Sequence, residues 1–214
     1  MDERPIRMAA SVICARPGEG GPEVLVVERS AASRFLPGYV AFPGGAVDPG
    51  DEQHASRWFG DAAQHQRAAA VRELFEEVGL CLVAAGPVPS VGDGFAQVDA
   101  APPRTDQLHE AAHWIAPAEV PVRFDARYYV VEAGPDAAPT ADGHEAVAAW
   151  WTRPSDLLRG WERGERKLYW PTYVTVLALE ACDRLDQLLS LRFDTREPTP
   201  SEERSLPRHV MEQD

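Results

Sequence analysis

Arg72-Glu73-Leu74-Phe75-Glu76-Glu77-Val78-Gly79-Leu80 decides how the rest of this chain is read. Ala68-Ala69-Ala70 before it are strong helix formers, and Gly79 stands where a left-handed C-terminal cap belongs, so the stretch is predicted to close a helix. Glu73, Glu76 and Glu77 fall at i, i+3 and i+4 and share one face, while Val71, Leu74, Phe75 and Val78 fall on the other. Like charges about 5 Å apart repel by roughly 3 kcal/mol per pair at an effective dielectric of about 20, and by under about 1 kcal/mol in water. Two readings follow. The face is solvated, or a divalent cation with oxygen ligands offsets the repulsion, and Mg²⁺ suits a few carboxylates with retained waters and substrate phosphates.

Upstream, residues 6–15 and 23–28 read as strands joined by a Gly/Pro turn, hence a hairpin. A loop carrying Arg29 and Arg34 follows, and residues 39–42 form a third short strand running into Pro43-Gly44-Gly45. Gly44 and Gly45 let the backbone approach a ligand closely, although an isolated Pro-Gly-Gly is also an ordinary turn.

Strand, glycine turn and acidic helix together resemble the signature of Nudix hydrolases, G-x5-E-x7-R-E-U-x-E-E-x-G-U with U a bulky aliphatic residue. Residues 72–80 match every specified position of its second half, and Gly45 fits the opening glycine. Between them the chain departs from the pattern. The acidic position after Gly45 falls on Asp51 rather than Glu, and 20 residues rather than 7 separate Asp51 from Arg72, an insertion of 13. Counting back from Arg72 instead places Gln64 there. In the family that Glu pairs with the motif arginine and steadies the loop. Asp51 fills the role only if the insertion bulges out, and Gln64 would offer a neutral hydrogen bond.

The resemblance implies an α/β/α sandwich with a mixed β-sheet and a catalytic loop-helix-loop. It implies that Glu73, Glu76, Glu77 and the Gly45 carbonyl hold Mg²⁺ or Mn²⁺, and that Arg72 orients the glutamates. A Glu just before a Trp-bearing strand often serves as a further ligand or as the base in such enzymes. Glu145, ahead of Trp150-Trp151, is that position, with Glu132 as the alternative. The implied reaction is hydrolysis of a nucleoside diphosphate linked to another moiety, with Arg29, Arg34, Arg127 and Gly44 contacting substrate and Glu145 or Glu73 accepting a proton from water.

Three segments resemble one branch, the coenzyme A diphosphatase-like Nudix proteins: the insertion near residues 49–66, residues 29–45 with Phe-Leu-Pro-Gly before Phe-Pro-Gly-Gly, and His113-Trp114-Ile115-Ala116-Pro117 ahead of Arg123-Phe124-Asp125-Ala126-Arg127-Tyr128-Tyr129. Coenzyme A or an acyl-coenzyme A is the substrate this implies. ADP-ribose, NADH or a nucleotide sugar is the enzymatic alternative, and a non-catalytic nucleotide-binding regulatory module is the other. Arg123, Asp125 and Arg127 alternate along a strand and share one side, as an ion-pair ladder or as a substrate surface.

The chain has 214 residues, 44% of them hydrophobic, enough for one core. The domain is read over residues 1–191, with a polar, flexible tail over 192–214. A net charge of −13 argues against nucleic acid or an anionic membrane as partner, where phosphate neutralisation supplies the affinity. No apolar run is long enough to span a bilayer, the N-terminus lacks signal-peptide features, and Cys14, Cys81 and Cys182 suit a reducing cytoplasm. A homodimer is the oligomer the family suggests. Residues 85–103 read as a loop, 108–112 as a helical turn, and 172–191 as one long helix with Val174, Leu177, Leu179 and Leu185 in its apolar stripe.

Overall fold

The computed structural model describes residues 5–116 and 123–193. The hairpin of β1 (Ile6–Arg16) and β2 (Glu23–Arg29) is present, but the two strands pair only at Ala15–Val24 and Arg16–Glu23. Toward its N-terminus β1 leaves β2 and takes β4 (Gly44–Ala46) instead, with Ser11 opposite Gly44 and Ala10 opposite Gly45. On its other side β1 runs parallel to β8 (Arg123–Glu132), and β7 (His109–Ile115) lies antiparallel to β8. The other arm consists of β2, β3 (Val40–Ala41) and β9 (Ala146–Thr152). The sheet is therefore mixed and forked. Pro43 lies in the fork, its carbonyl accepting from Val12 N–H at 2.8 Å.

Strand alternation sends apolar side chains to both faces. Val12, Cys14, Leu25, Val27, Tyr129 and Val131 pack with α2 (His65–Val78) on one. Ile13, Ala15, Val24, Val26, Tyr128 and Val130 pack with α4 (Pro154–Glu162), α5 (Trp170–Glu180) and α6 (Leu185–Leu189) on the other. This is the α/β/α sandwich expected. Val71, Leu74 and Val78 of α2 are fully buried, contributing about 1.5–3 kcal/mol each.

Several local expectations are corrected. Residues 85–103 are not a loop: β6 (Gly86–Pro89) pairs with β5 (Leu80–Val83), and α3 (Gly94–Ala100) follows, started by the Asp93 carboxylate accepting from Phe95 N–H at 3.0 Å. Phe95 then packs against Phe75 and Trp58, an attraction between distant segments that local composition does not reveal. The turn near residue 108 is a 3₁₀ helix at Thr105–Gln107, and the residues after it join β8 as strand. The long C-terminal helix is two. α5 begins at Trp170, stops at Glu180, and Gln187 Oε1 accepts from the N–H groups of Asp183 and Arg184 to start α6. The buried positions of α5 are Pro171, Thr172, Thr175, Val176 and Leu179, whereas Leu177 is exposed.

The expected insertion folds as α1 (Asp51–Phe59) and a 3₁₀ turn at Ala62–Gln64, laid against α2. The start of the polar tail is docked rather than free, Phe193 N–H donating to Ala111 O at 2.9 Å, while residues 194–214 and Pro117 lie outside the described residues. Among the described residues no helix is long and apolar enough to cross a membrane.

Candidate active site

The last turn of α2 reaches the fork of the sheet. Gly79 caps the helix at φ 64°, its N–H shared between Leu74 O and Phe75 O. Glu73 and Glu77 are buried, so the solvated reading of the acidic face does not hold for them; only the Glu76 side chain stays about half open, at 45% exposure. Glu145 comes in from the loop before β9. One carboxylate oxygen each from Glu73, Glu77 and Glu145 lies within 4.8 Å of the others.

β4 supplies the backbone side of this cluster. Gly44 N–H donates to Glu77 Oε2 at 3.0 Å. A Cβ on Gly45 would sit 2.7 Å from Glu73 Cδ, and one on Gly44 would sit 2.6 Å from Ser11 Cα and strike the Ala10 carbonyl. Those last two are sheet backbone and cannot swing aside. Gly44→Ala is therefore expected to destabilise the protein by about 1–3 kcal/mol, read as a lower urea midpoint; an unchanged midpoint would show that β4 can shift away from β1.

Arg72 answers the question left by the interrupted signature. Its Nε and Nη2 donate to Asp51 Oδ1 and Oδ2, both at 3.0 Å, a bidentate pair with a carboxylate that is 0% exposed. Nη2 also donates to Ala46 O at 2.9 Å, and Nη1 to Glu73 at 2.8 Å and Glu76 at 2.7 Å. Asp51 thus occupies the acidic position, because α1 and the 3₁₀ turn bulge out and bring it back beside α2. Gln64 instead bonds Arg67 and Asp61.

Burial, and then the repulsion of Glu76 and Glu145, push the Glu73 carboxyl up to about 7 even though Arg72 opposes the shift. Burial and Glu73 push Glu77 up to about 8 against the Gly44 N–H and Arg29. Without a cation, two carboxyls here hold protons near neutral pH. That is the chemistry of a donor set built for a divalent cation, and Glu73, Glu77 and Glu145 could hold one. The sign for stability follows. A carboxyl with a raised folded value binds its proton more tightly in the folded chain, so its contribution is fully present below about 4.5 and is lost as pH rises through 7 and 8. The urea midpoint of metal-free protein is expected to fall between about pH 4.5 and 8, to level off above that, and to flatten throughout when Mn²⁺ is added. A pH-independent midpoint would contradict it.

A cavity of about 650 Å³ opens from the carboxylates across the fork. Arg29 lines it, with Nε donating to Phe35 O at 3.1 Å. Arg34 is exposed and is not among the lining residues. Arg127, expected to contact substrate, is not brought to the cavity either. Phe124, Ala126 and Tyr128 face it, so the odd positions of β8 face the other side. There Arg127 pairs with Glu110 at 2.7 Å and His113 with Asp125 at 2.6 Å, which is the ion-pair ladder. Glu132, the alternative to Glu145, lies in β8 outside the cluster. The sequence reading missed Arg7, Trp114, Tyr169 and Asp142 in the cavity wall. Only Arg7 carried a local signal, its alternation with Ala9 and Ser11 along β1.

The fold is shared with known proteins. A family model described as NUDIX domain matches residues 5–170. The crystal structure of a NUDIX hydrolase from Alicyclobacillus acidocaldarius superposes with a TM-score of 0.76 and 32% identity, covering 88% of this chain and 97% of that one. The NUDIX domain of Shewanella oneidensis NrtR, solved with ADP ribose, has a TM-score of 0.53 at 12% identity over 81% of this chain and 86% of its own, a likeness of fold alone. A Caenorhabditis elegans protein provisionally named nudix hydrolase 7 is 39% identical over 74 residues, 35% of this chain and only 22% of that protein's length.

Proposed function

We propose that this chain, which belongs to the Nudix family, is a pyrophosphohydrolase that cleaves a nucleoside diphosphate linked to another moiety, with coenzyme A or an acyl-coenzyme A as the substrate. The observation that carries the hydrolase reading is the convergence of Glu73, Glu77 and Glu145 within 4.8 Å at the mouth of a cavity. A divalent cation, Mg²⁺ or Mn²⁺, held there with Glu76 and the Gly45 carbonyl as the further ligands the family resemblance implies, would neutralise diphosphate charge and lower the pKa of water.

The chain's own groups do the rest. Arg29 faces the cavity and suits phosphate oxygens. Gly44 and Gly45, lacking side chains, leave room for the diphosphate beside the backbone. Glu145, exposed at the rim, is a carboxylate that water reaches, and it accepts the proton of the attacking water, with Glu73 as the alternative acceptor. Arg72, fixed by Asp51, orients Glu73 and Glu76. Beyond the carboxylates the wall turns aromatic, with Phe35, Trp114, Phe124, Tyr128 and Tyr169 awaiting the group at the far end of the diphosphate.

The coenzyme A reading is supported by which segments build this wall. Of the stretches that resemble that branch, residues 29–45 line the wall, and so do Trp114 and Ala116 of the Trp-bearing turn and Phe124, Ala126 and Tyr128 of the strand after it. The test is a panel of coenzyme A, an acyl-coenzyme A, ADP-ribose, NADH, a dinucleoside polyphosphate and an oxidised dGTP with Mg²⁺ or Mn²⁺, products identified by mass spectrometry. Release of 3′,5′-ADP and a phosphopantetheine is the expected result. Preference for another diphosphate would overturn the substrate and keep the chemistry. Nucleotide binding without cleavage across the panel would overturn the enzyme in favour of a regulatory module.

A further inference from the structure

We propose that Asp142 is a positioning residue that clasps the Glu145 loop to the end of α2 and so holds Glu145 in place beside Glu73 and Glu77. The proposal rests on the reading of Glu145 as part of the cation-holding set. Glu145 is the outlier of that set. Glu73 and Glu77 stand on a buried helix, whereas Glu145 is an exposed side chain on a loop. A loop glutamate brings its carboxylate to a fixed spot only if its backbone is anchored, because otherwise binding must supply the ordering entropy.

The anchoring is visible bond by bond. The last carbonyls of a helix have no partner within it. Here Val78 O accepts from Thr140 N–H at 2.8 Å and Glu77 O accepts from Asp142 N–H at 3.0 Å, so the loop is docked to the very residue that carries a carboxylate of the cluster. The Asp142 side chain then turns back along the chain. Its Oδ2 accepts from Glu145 N–H at 3.0 Å and its Oδ1 from Ala146 N–H at 2.8 Å. Ser30 N–H donates to Glu145 O at 2.9 Å, pinning the other side of the same residue to the end of β2. Asp142 therefore connects helix to loop twice, through its backbone to Glu77 and through its carboxylate to Glu145. The cluster Glu73–Glu77–Glu145 is held as one unit through it.

A simple turn-stabilising aspartate would show the same bonds, so the test must separate position from stability. Purified full-length protein is titrated with Mn²⁺ alone and free Mn²⁺ is read by electron paramagnetic resonance, for wild type, Asp142→Ala, Glu145→Gln and the double variant, with urea midpoints alongside. Each single change is expected to weaken Mn²⁺ about tenfold, in the range for residues that orient ligands. The double variant should be no more than about twofold weaker than Glu145→Gln, because a residue acting through Glu145 has nothing left to position. Should Asp142→Ala not fold, Asp142→Asn, which keeps one acceptor oxygen, is expected to give a smaller loss that likewise vanishes in the Glu145→Gln background. A folded Asp142 variant with wild-type Mn²⁺ affinity, or losses that multiply in the double variant, would overturn the clasp and leave Glu145 as a ligand. Unchanged affinity in Glu145→Gln would overturn the reading of Glu145 itself, and the clasp with it.

Discussion

Glu77→Gln is expected to lower hydrolysis by about a hundredfold or more while leaving the metal-free protein more stable than wild type. Glutamine keeps the shape of the side chain, and its amide oxygen can still accept from Gly44 N–H, as Glu77 Oε2 does at 3.0 Å. What is lost is one negative charge out of three within 4.8 Å. Charge stabilisation by a bound cation is worth several kcal/mol in such sites, and each 1.4 kcal/mol is about tenfold in rate. The stability effect has the opposite sign. The Glu77 carboxyl is pushed up to about 8 by burial and by Glu73, so above that pH its charge opposes folding. A neutral side chain has no such cost, and the urea midpoint at about pH 8.5 should rise. Opposite movement of activity and stability marks a functional site and could not arise from misfolding. Loss of both together would mean that Glu77 is structural, and retention of activity would remove it from the site.

The site was legible in the sequence to the extent that it is local. The helical spacing of Glu73, Glu76 and Glu77 and the Gly79 cap are written within a few residues of one another, and so is the glycine turn that faces them. Helical spacing alone did not show how the three glutamates divide. Arg72 donates to both Glu73 and Glu76, but Glu73 and Glu77 each bring an oxygen to Glu145 and Glu76 stands outside that cluster. Burial separates them, and burial is a property of the sheet fork rather than of the helix. Strand parity decided against Arg127, and the alternation was readable, but which parity faces the cavity depends on the partners of β8. α3 and the break between α5 and α6 were hidden for a related reason. Phe95 orders its segment by packing between Trp58 and Phe75, and Gln187 restarts a helix through its own side chain. The resemblance carried the mixed α/β fold correctly, because the sheet and its covering helices depend on hydrophobic pattern more than on the insertion.

The insertion also sets the second large effect. Asp51→Ala is expected to destabilise the protein by about 3 kcal/mol, the low end of the range for removing one partner of a buried ion pair. Asp51 is 0% exposed and both its oxygens are engaged, Oδ1 and Oδ2 by Arg72 and Oδ2 by Asp48 N–H at 2.7 Å. Alanine would strand two guanidinium donors in the interior, each costing about 1–3 kcal/mol if water cannot replace the carboxylate, while the Asp48 N–H lies on an exposed residue that water reaches. The Arg72 guanidinium keeps Glu73, Glu76 and the Ala46 carbonyl, which is why the low end applies. Those remaining bonds also say where the damage goes. Released from Asp51, Arg72 is free to follow Glu73 or Glu76, and hydrolysis should fall along with the urea midpoint. Gln64→Ala is the matched comparison, since the signature counted backwards places Gln64 at the same position. Among the described residues the Gln64 side chain bonds Arg67 and Asp61 at the edge of the insertion, and its loss should cost under about 0.5 kcal/mol, as surface changes do. Equal losses for the two variants would mean that Arg72 is not held by Asp51. A large loss for Asp51 alone would establish that a 13-residue bulge can be inserted into the signature loop without breaking it, because the chain returns its first residue, Asp51, to the arginine the signature requires.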